Sequence, residues 1–216
     1  MSNKPKRFLR PSNFGGLAPG AEAVNLSEVI DPDPRVGREI RDLRKARGAT
    51  LTDLSNETAL SPGYLSQIEN GKAVPSVKAL HTISQALGVT ISWFFSPQSG
   101  DSETLRDFVV RASNRRRLEF KNGIVDELLS PNLSRKLEML KCTFPPGTSS
   151  GREPYQHEGE EAGLVISGTL DLWIGDTHVE LSAGDSFAFE SHLPHRYENR
   201  SDQDTIVVWS ITPPSY

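Results

Sequence analysis

The chain has 216 residues, 36% hydrophobic and 24% charged, which is enough for one large or two small globular domains. No apolar run approaches the roughly 20 residues of a membrane span, and the basic N-terminus lacks the apolar segment of a signal peptide. We therefore expect a cytoplasmic protein with no membrane partner. The net charge of −4 is uneven, because residues 1–97 hold 12 Lys and Arg against 9 Asp and Glu, whereas residues 98–216 hold 12 against 19. A basic part followed by an acidic part predicts two domains with different partners.

The first 34 residues contain five prolines and little periodicity, so residues 1–34 are predicted to form a flexible N-terminal arm. A helical pattern then covers residues 35–95. Val36, Ile40 and Leu43 recur at the spacing of one helix face, and Gly48 is a common type of helix stop. The pattern predicts a first amphipathic helix with arginines on its other faces.

Two further helices have local start signals. Thr50 lies three residues before Asp53, a variant of the capping box, and Ser61 is followed by Pro62, which suits the first position of a helix. A fourth helix is predicted over SVKALHTISQALG and a short fifth over TISWFF. Five helices joined by short turns predict a compact all-α domain over residues 35–95.

The pattern changes after residues 96–104, a polar stretch with Pro, Gly and Ser that is predicted to be a linker. Short alternating runs follow, such as FVVRAS, RRLEF, KLEMLKCTF, SFAFE and TIVVWSI, and Gly175-Asp176 supplies a hairpin turn. About eight strands at this spacing predict an all-β sandwich or jelly-roll barrel over residues 105–216. Cys142 is the lone cysteine, so no disulfide can form within the chain.

The helical part resembles the phage-repressor-like, or XRE-type, helix-turn-helix family over residues 36–95, and SPGYLSQIENGK with PSVKAL carries the resemblance. The resemblance implies a lambda-repressor-like fold in which LSPGYLSQIEN is the recognition helix that enters the major groove of double-stranded DNA. The residues expected to contact the DNA are Thr50, Ser61, Gly63, Tyr64, Ser66, Gln67, Asn70 and Lys72.

The chemistry of these residues agrees with that role. Leu65 and Ile68 take the core face of the helix, which turns the polar side chains outward. Gln67 can contact the major-groove edge of adenine, hydroxyl groups suit phosphates, and the helix start at Thr50 offers backbone N–H groups to a phosphate. Further basic side chains are candidates for neutralising the DNA backbone, namely Arg41, Arg44, Lys45 and Arg47.

Two residues depart from the family pattern. Ala59 stands in the turn where family members commonly have glycine, which is tolerable if the backbone there is right-handed. Leu51 stands where a glutamine often reaches the DNA backbone, so one DNA contact is expected to be missing.

The second part resembles the cupin superfamily, small jelly-roll barrels with a central cavity, from about Leu137 to Pro213. The first cupin motif is matched by the spacing of His157, Glu161 and Gly168, and the second keeps His195 and Asn199 within LPHRYEN. Tyr155 stands where the first motif has another histidine. The resemblance implies that three of the four usual metal ligands remain, namely His157, Glu161 and His195.

Three interpretations of this site are open. Two imidazoles and a carboxylate suffice for zinc, iron or manganese with open positions for a ligand. Alternatively the barrel is a metal-free pocket in which Tyr155, His157, Glu161 and His195 bind a small molecule, or the histidines are hydrogen-bonded core residues. A phenol with a pKa near 10 is a poor metal ligand, but alternation places Tyr155 on the same face as His157.

The two parts together resemble a group of bacterial regulators that includes putrescine-responsive repressors. This resemblance implies a homodimeric, non-enzymatic transcription factor that binds a near-palindromic operator and responds to a small-molecule effector. The acidic residues Glu158, Glu160 and Glu161 would suit an amine or amino-acid-like effector. Two alternatives are a cupin metalloenzyme fused to a DNA-binding module and a constitutive repressor whose vestigial barrel serves only for dimerisation.

Overall fold

The computed structural model describes residues 34–95 and 103–215. The predicted arm over residues 1–34 falls almost wholly outside these ranges, as does most of the predicted linker, so those boundaries stay predictions. None of the helices in the described ranges is long and apolar enough to cross a membrane.

Four α-helices build the first domain, α1 (Pro34–Ala46), α2 (Leu51–Thr58), α3 (Pro62–Glu69) and α4 (Val77–Ala86). Their starts are fixed by caps, because the Thr50 hydroxyl accepts the N–H of Asp53, and the Ser61 and Ser76 hydroxyls each accept an N–H three residues on. The Thr50–Asp53 capping box is confirmed, as is the helix start at Ser61-Pro62.

The helices pack on one core. Ile40 and Leu43 of α1, Leu65 and Ile68 of α3 and Ile83 of α4 are all almost fully buried. Gly37 lets α1 approach α3 closely, since a Cβ added there would lie 2.0 Å from the carbonyl oxygen of Ile68. Helix α3 is thereby held closely against α1.

The prediction of five α-helices is wrong in its last member. Residues Ile91–Phe94 form a 3₁₀-helix, in which the N–H of Trp93 donates to the carbonyl of Thr90 and that of Phe95 to Ser92. Trp93 and Phe94 are buried in the helical core, and this packing holds the segment although four residues are too few for an α-helix of their own.

The remainder begins with a one-turn helix α5 (Glu103–Arg106) and a 3₁₀-turn (Ala112–Asn114). Nine strands follow. They are β1 (Arg117–Glu119), β2 (Val125–Leu128), β3 (Glu138–Phe144), β4 (Glu160–Ser167), β5 (Thr169–Ile174), β6 (Thr177–Ser182), β7 (Ser186–Glu190), β8 (His195–Glu198) and β9 (Thr205–Thr212).

The strands form two antiparallel sheets, one in the order β1-β2-β3-β9-β4-β7 and the other in the order β6-β5-β8. Alternate residues of the strands point into a shared core. On β9 these are Thr205, Val207, Trp209 and Ile211. The predicted hairpin turn at Gly175-Asp176 is confirmed between β5 and β6.

The strand prediction fails at two places. FVVRAS forms no strand, and Phe108 is 63% exposed beneath the guanidinium of Arg135. β2 was not expected, because VDEL is short and half charged. It forms because it pairs with both β1 and β3 and buries Asp126 and Leu128.

Candidate functional site

The first candidate surface is the exposed side of α3. Leu65 and Ile68 are buried, as expected, so the opposite side of the helix faces solvent. Ser61, Gly63, Gln67, Asn70 and Lys72 are exposed, and Tyr64 and Ser66 are half-buried. Open space surrounds Gly63, where an added Cβ would meet no atom within 4 Å. The predicted DNA contacts on and after α3 therefore share one accessible surface.

Thr50 and Asn70, like the capping residue Ser61, also have local roles. The N–H and hydroxyl of Thr50 both donate to the carboxylate of Asp53, at 2.8 and 2.7 Å. The Asn70 amide donates to the carbonyl of Ser66 at 2.7 Å and ends the helix. The N–H groups of the first residues of α2 are the ones that a phosphate would meet near Thr50.

Arg44 does not belong to the DNA-facing set, which corrects the expectation that it neutralises the DNA backbone. Its guanidinium is buried and donates to both carboxylate oxygens of Glu69, at 2.6 and 2.8 Å, and to the carbonyl of Ala49 at 2.7 Å. This bidentate pair fastens α1 to α3. The partner lies 25 residues away, so the helix pattern alone could not show it.

The second candidate site lies inside the barrel. Glu161 is on β4, His195 begins β8, and His157 lies just before β4. The Nε2 atoms of His157 and His195 lie 2.5 and 3.2 Å from the same carboxylate oxygen, Oε1 of Glu161. Glu161 and His195 are buried, and the side chain of His157 is 11% exposed. The structure thus brings together all three residues predicted as metal ligands, and their ligand atoms lie within 4.8 Å of one another.

The other nitrogen of each imidazole contacts a backbone carbonyl. Nδ1 of His157 lies 3.0 Å from the carbonyl oxygen of Glu158, and Nδ1 of His195 lies 2.8 Å from that of Leu193. Because a carbonyl oxygen only accepts, each Nδ1 carries the proton, and Nε2 of a neutral ring presents a lone pair. Two neutral rings would direct two lone pairs at the carboxylate, an arrangement that a bound cation can bridge, whereas a ring protonated at both nitrogens donates a hydrogen bond to Glu161.

The carboxylate of Glu161 is anchored on its other side. Its Oε2 accepts a hydrogen bond of 2.7 Å from the indole N–H of Trp209 on β9. Burial acts to raise the pKa of Glu161, but the hydrogen bonds from His157 and His195 outweigh it and hold the pKa well below its usual range. Trp209 was not predicted as a site residue. The alternation of TIVVWSI, which places Trp209 on the inner face, is the signal that could have indicated it.

Tyr155 forms a wall of the same site. Its ring is buried, lies edge-on to His195 with centroids 4.2 Å apart, and stacks 6.3 Å from the ring of His157. Its backbone exchanges two hydrogen bonds with His195, of 3.0 and 2.9 Å. Phe189 also lies against His195, at 4.9 Å between ring centroids. The pocket therefore has an aromatic lining beside the polar cluster.

Comparison with known proteins identifies the two domains. The helix-turn-helix family HTH_3 matches residues 40–94, and the cupin domain family Cupin_2 matches residues 140–211. The chain joins a helix-turn-helix domain to a cupin domain. The predicted combination of an XRE-type helix-turn-helix domain with a C-terminal cupin domain is thereby confirmed.

Two transcriptional regulators are similar to this chain over most of its length. The HTH-type transcriptional regulator PuuR of Escherichia coli (strain K12) is 27% identical over 185 residues, which cover 83% of this chain and 96% of that protein. The HTH-type transcriptional regulator SutR of the same strain is 26% identical over 164 residues, covering 76% and 86%. H2HPP isomerase of Bacillus subtilis is 35% identical over 72 residues, but these cover 33% of this chain and 30% of that protein.

Proposed function

We propose that this helix-turn-helix transcriptional regulator binds an operator as a homodimer and that its cupin domain senses a small molecule. The observation that carries the proposal is the convergence of His157, Glu161 and His195 within the barrel of a chain that also presents an accessible recognition helix. Burial of polar groups costs free energy, so a barrel used only for packing is not expected to direct two imidazoles, one of them fully buried, at one carboxylate oxygen.

On the DNA side, α3 enters the major groove and Gln67 reads base edges, because its amide is exposed at the centre of the accessible surface. Ser61, Gly63, Tyr64, Ser66 and Asn70 lie around Gln67 and contact bases or phosphates. Thr50 and Lys72, at the two margins, contact the phosphate backbone. These contacts remain predictions that substitution can test.

In the barrel, the residues fit a divalent metal ion. Each Nδ1 atom contacts a backbone carbonyl while Nε2 faces Glu161, and such a hydrogen bond from the second ring nitrogen is common among metal-ligating histidines. The ligand atoms of the three residues lie within 4.8 Å of one another, close enough for one ion to contact all of them. His157, Glu161 and His195 would hold the ion, which would act as a Lewis acid toward the effector.

The effector that the site favours is a small amine or amino-acid-like metabolite. Glu158 and Glu160 are exposed beside the cluster and add negative charge near the pocket. The aromatic wall of Tyr155 and Phe189 can pack on the apolar part of such a molecule or hold an ammonium group over a ring face.

A homodimer is supported by an apolar strip on the outer face of the larger sheet. Leu164 and Ile166 on β4 are 41% and 50% exposed, and the cross-strand partners of Leu164 are Ser186 and Val208. Sedimentation should show a dimer that the double variant Leu164→Glu/Ile166→Glu converts to a folded monomer. Val179→Glu is the matched control, because Val179 is 37% exposed on the other sheet. A dimer that survives the double variant excludes this interface.

The test of the regulator proposal is operator selection from random duplexes, followed by fluorescence anisotropy. We expect an operator bound about 10³-fold or more tightly than scrambled DNA at physiological salt. An effector from a panel of amines and amino acids should change operator affinity by about 5- to 150-fold. Equal affinity for operator and scrambled DNA contradicts the proposal, and an operator affinity that no panel member changes would indicate a barrel used only for dimerisation.

A second candidate function is a metalloenzyme fused to a DNA-binding module. The buried His-Glu-His cluster and the partial similarity to H2HPP isomerase favour it. Metal-loaded protein that converts a candidate substrate, with the reaction lost in Glu161→Gln, would establish this activity in place of pure sensing.

A further inference from the structure

A cavity of about 730 Å³ lies away from the barrel site, between α1 and the residues that lead into the barrel. One wall is the side of α1 opposite its buried residues. The other is formed by residues around positions 106–116 and 128–135. Pockets for small molecules commonly have volumes of about 300–1,000 Å³, so the space suits a metabolite.

The walls of this interdomain cavity are strongly basic. Helix α1 contributes four cations, Arg35, Arg38, Arg41 and Lys45. The opposite wall contributes four more, Arg106, Arg111, Arg116 and Arg135. The acidic lining residues are three, Glu39, Asp42 and Asp107, so the cavity has an excess of five positive charges. The C-terminal half of the chain is acidic as a whole, so the four arginines of the opposite wall form a local basic patch within it.

Two carboxyl groups of the lining, those of Glu39 and Asp42, already interact with its basic side chains. Glu39 forms an ion pair of 2.6 Å with Arg116, across the junction of the two domains. Burial raises the pKa of Asp42, while Lys45, Arg41, Arg116 and Arg38 act in the opposite direction on the same carboxyl group. Several cations thus act on Asp42, and the basic side chains of the lining attract anionic groups by the same Coulomb interaction.

Two guanidinium groups on the opposite wall are held in place by other contacts. Arg116 lies over the ring of Trp93 at 5.7 Å and donates to the carbonyl of Pro131 at 3.4 Å. Arg135 donates to the carbonyl of Asp107 at 3.1 Å and covers the ring of Phe108 at 5.2 Å. Planar guanidinium groups fixed in this way are suited to binding carboxylate or phosphate through paired hydrogen bonds.

We propose that this cavity binds a small polyanion with two or more carboxylate or phosphate groups, at a site separate from the barrel. The ligand would contact α1 of the helix-turn-helix domain and the wall next to the cupin domain at once. Binding would therefore link the positions of the two domains. The inference rests on the cavity alone and does not depend on the effector proposed for the barrel.

The test uses the full chain without DNA and citrate as the probe, titrated by calorimetry in about 150 mM chloride to screen weak surface binding. We expect saturable binding that Arg38→Ala/Arg135→Ala weakens by at least about tenfold, because each substitution removes a charge-assisted partner. Arg117→Ala is the matched control, since Arg117 is exposed, next to Arg116, and not part of the lining. Circular dichroism confirms that each variant is folded.

Three outcomes overturn the proposal. The first is the absence of saturable heat with wild-type protein, and the second is an equal loss of citrate binding in Arg117→Ala. The third concerns DNA, whose phosphates offer the same chemistry. If the double variant leaves citrate binding unchanged but weakens binding of a non-operator duplex, the arginines serve the DNA backbone instead.

Discussion

The two domains each bury a polar cluster, and the clusters differ in whether they are complete. In the helix-turn-helix domain, each charge-bearing group of Arg44 faces an acceptor on Glu69 or Ala49. In the cupin domain, two imidazole nitrogens converge on one oxygen of Glu161, and the Nδ1 atom of each ring contacts a backbone carbonyl. The first cluster is fully paired within the chain, whereas the second brings together three ligand atoms that a cation could join.

The largest expected effect is on the complete cluster. Glu69→Ala leaves the Arg44 guanidinium buried without its carboxylate, so we expect the free energy of unfolding to fall by about 3–5 kcal/mol. Urea denaturation of the full chain, followed by the loss of α-helical signal, measures this free energy. Glu57→Ala, on the exposed side of α2, is the control and should change little. A loss below about 1 kcal/mol for Glu69→Ala would mean that the pair is not the fastening between α1 and α3.

The incomplete cluster should respond in the opposite way. In Glu161→Gln an amide N–H can donate to an imidazole Nε2, so metal-free protein should unfold at the same or a higher temperature than metal-free wild type. Metal affinity should fall by about 100-fold, or about 2.7 kcal/mol, because an anionic ligand is lost. Differential scanning calorimetry with and without chelator measures both. A clear destabilisation of the metal-free variant would show that the cluster is complete without a cation.

The accessible side of α3 gives the next effect. Gln67→Ala should weaken operator binding by about 1–3 kcal/mol without changing stability, since it removes a base contact from an exposed position. Fluorescence anisotropy with operator and scrambled duplexes measures the change in discrimination. Gln85→Ala, an exposed glutamine on α4, serves as the matched control. If both variants bind the operator like wild type, Gln67 is part of a solvated face only.

The smallest effect concerns the turn between α2 and α3. Ala59 has φ 57° and ψ 17°, so its backbone is left-handed. The right-handed conformation that alanine prefers, and that the sequence-based prediction required at this position, is therefore not adopted. Its side chain is exposed, so Ala59→Gly removes strain without loss of packing and should stabilise the domain by about 0.5–1 kcal/mol. Thermal unfolding measures it. Ala86→Gly, within α4, should lower the free energy of unfolding by about 1 kcal/mol. A change of the same sign in both variants would contradict the assignment of strain to Ala59.

The sequence predicted the helical domain well because its signals are local. The caps at Thr50 and Ser61 and the buried positions of α1 and α3 all depend on neighbours within a turn or two. The sequence-based prediction failed where a contact with a residue distant in the chain determines the role or the conformation of a segment. The role of Arg44 depends on Glu69, and the 3₁₀-helix at Ile91–Phe94 depends on burial of its aromatic residues in the domain core.

The barrel site was predictable in its residues but not in its chemistry. The motif spacing indicated His157, Glu161 and His195, which the register of β4 and the start of β8 bring together. The orientation of the imidazoles depends on carbonyls of irregular segments, and the anchor of Glu161 is Trp209, 48 residues away. The sequence pattern shows neither the backbone conformation of those segments nor the pairing with a residue so distant, so both contacts became visible only in the structure.

The most direct test of this account is the metal content of the full chain, purified without chelator and measured by elemental analysis beside Glu161→Gln. We expect about one transition-metal ion per wild-type chain after incubation with zinc, iron or manganese, and almost none in the variant after the same treatment and desalting. Wild-type protein that retains no metal, or wild type and variant that retain equal amounts, would contradict the assignment of His157, Glu161 and His195 as a cation site.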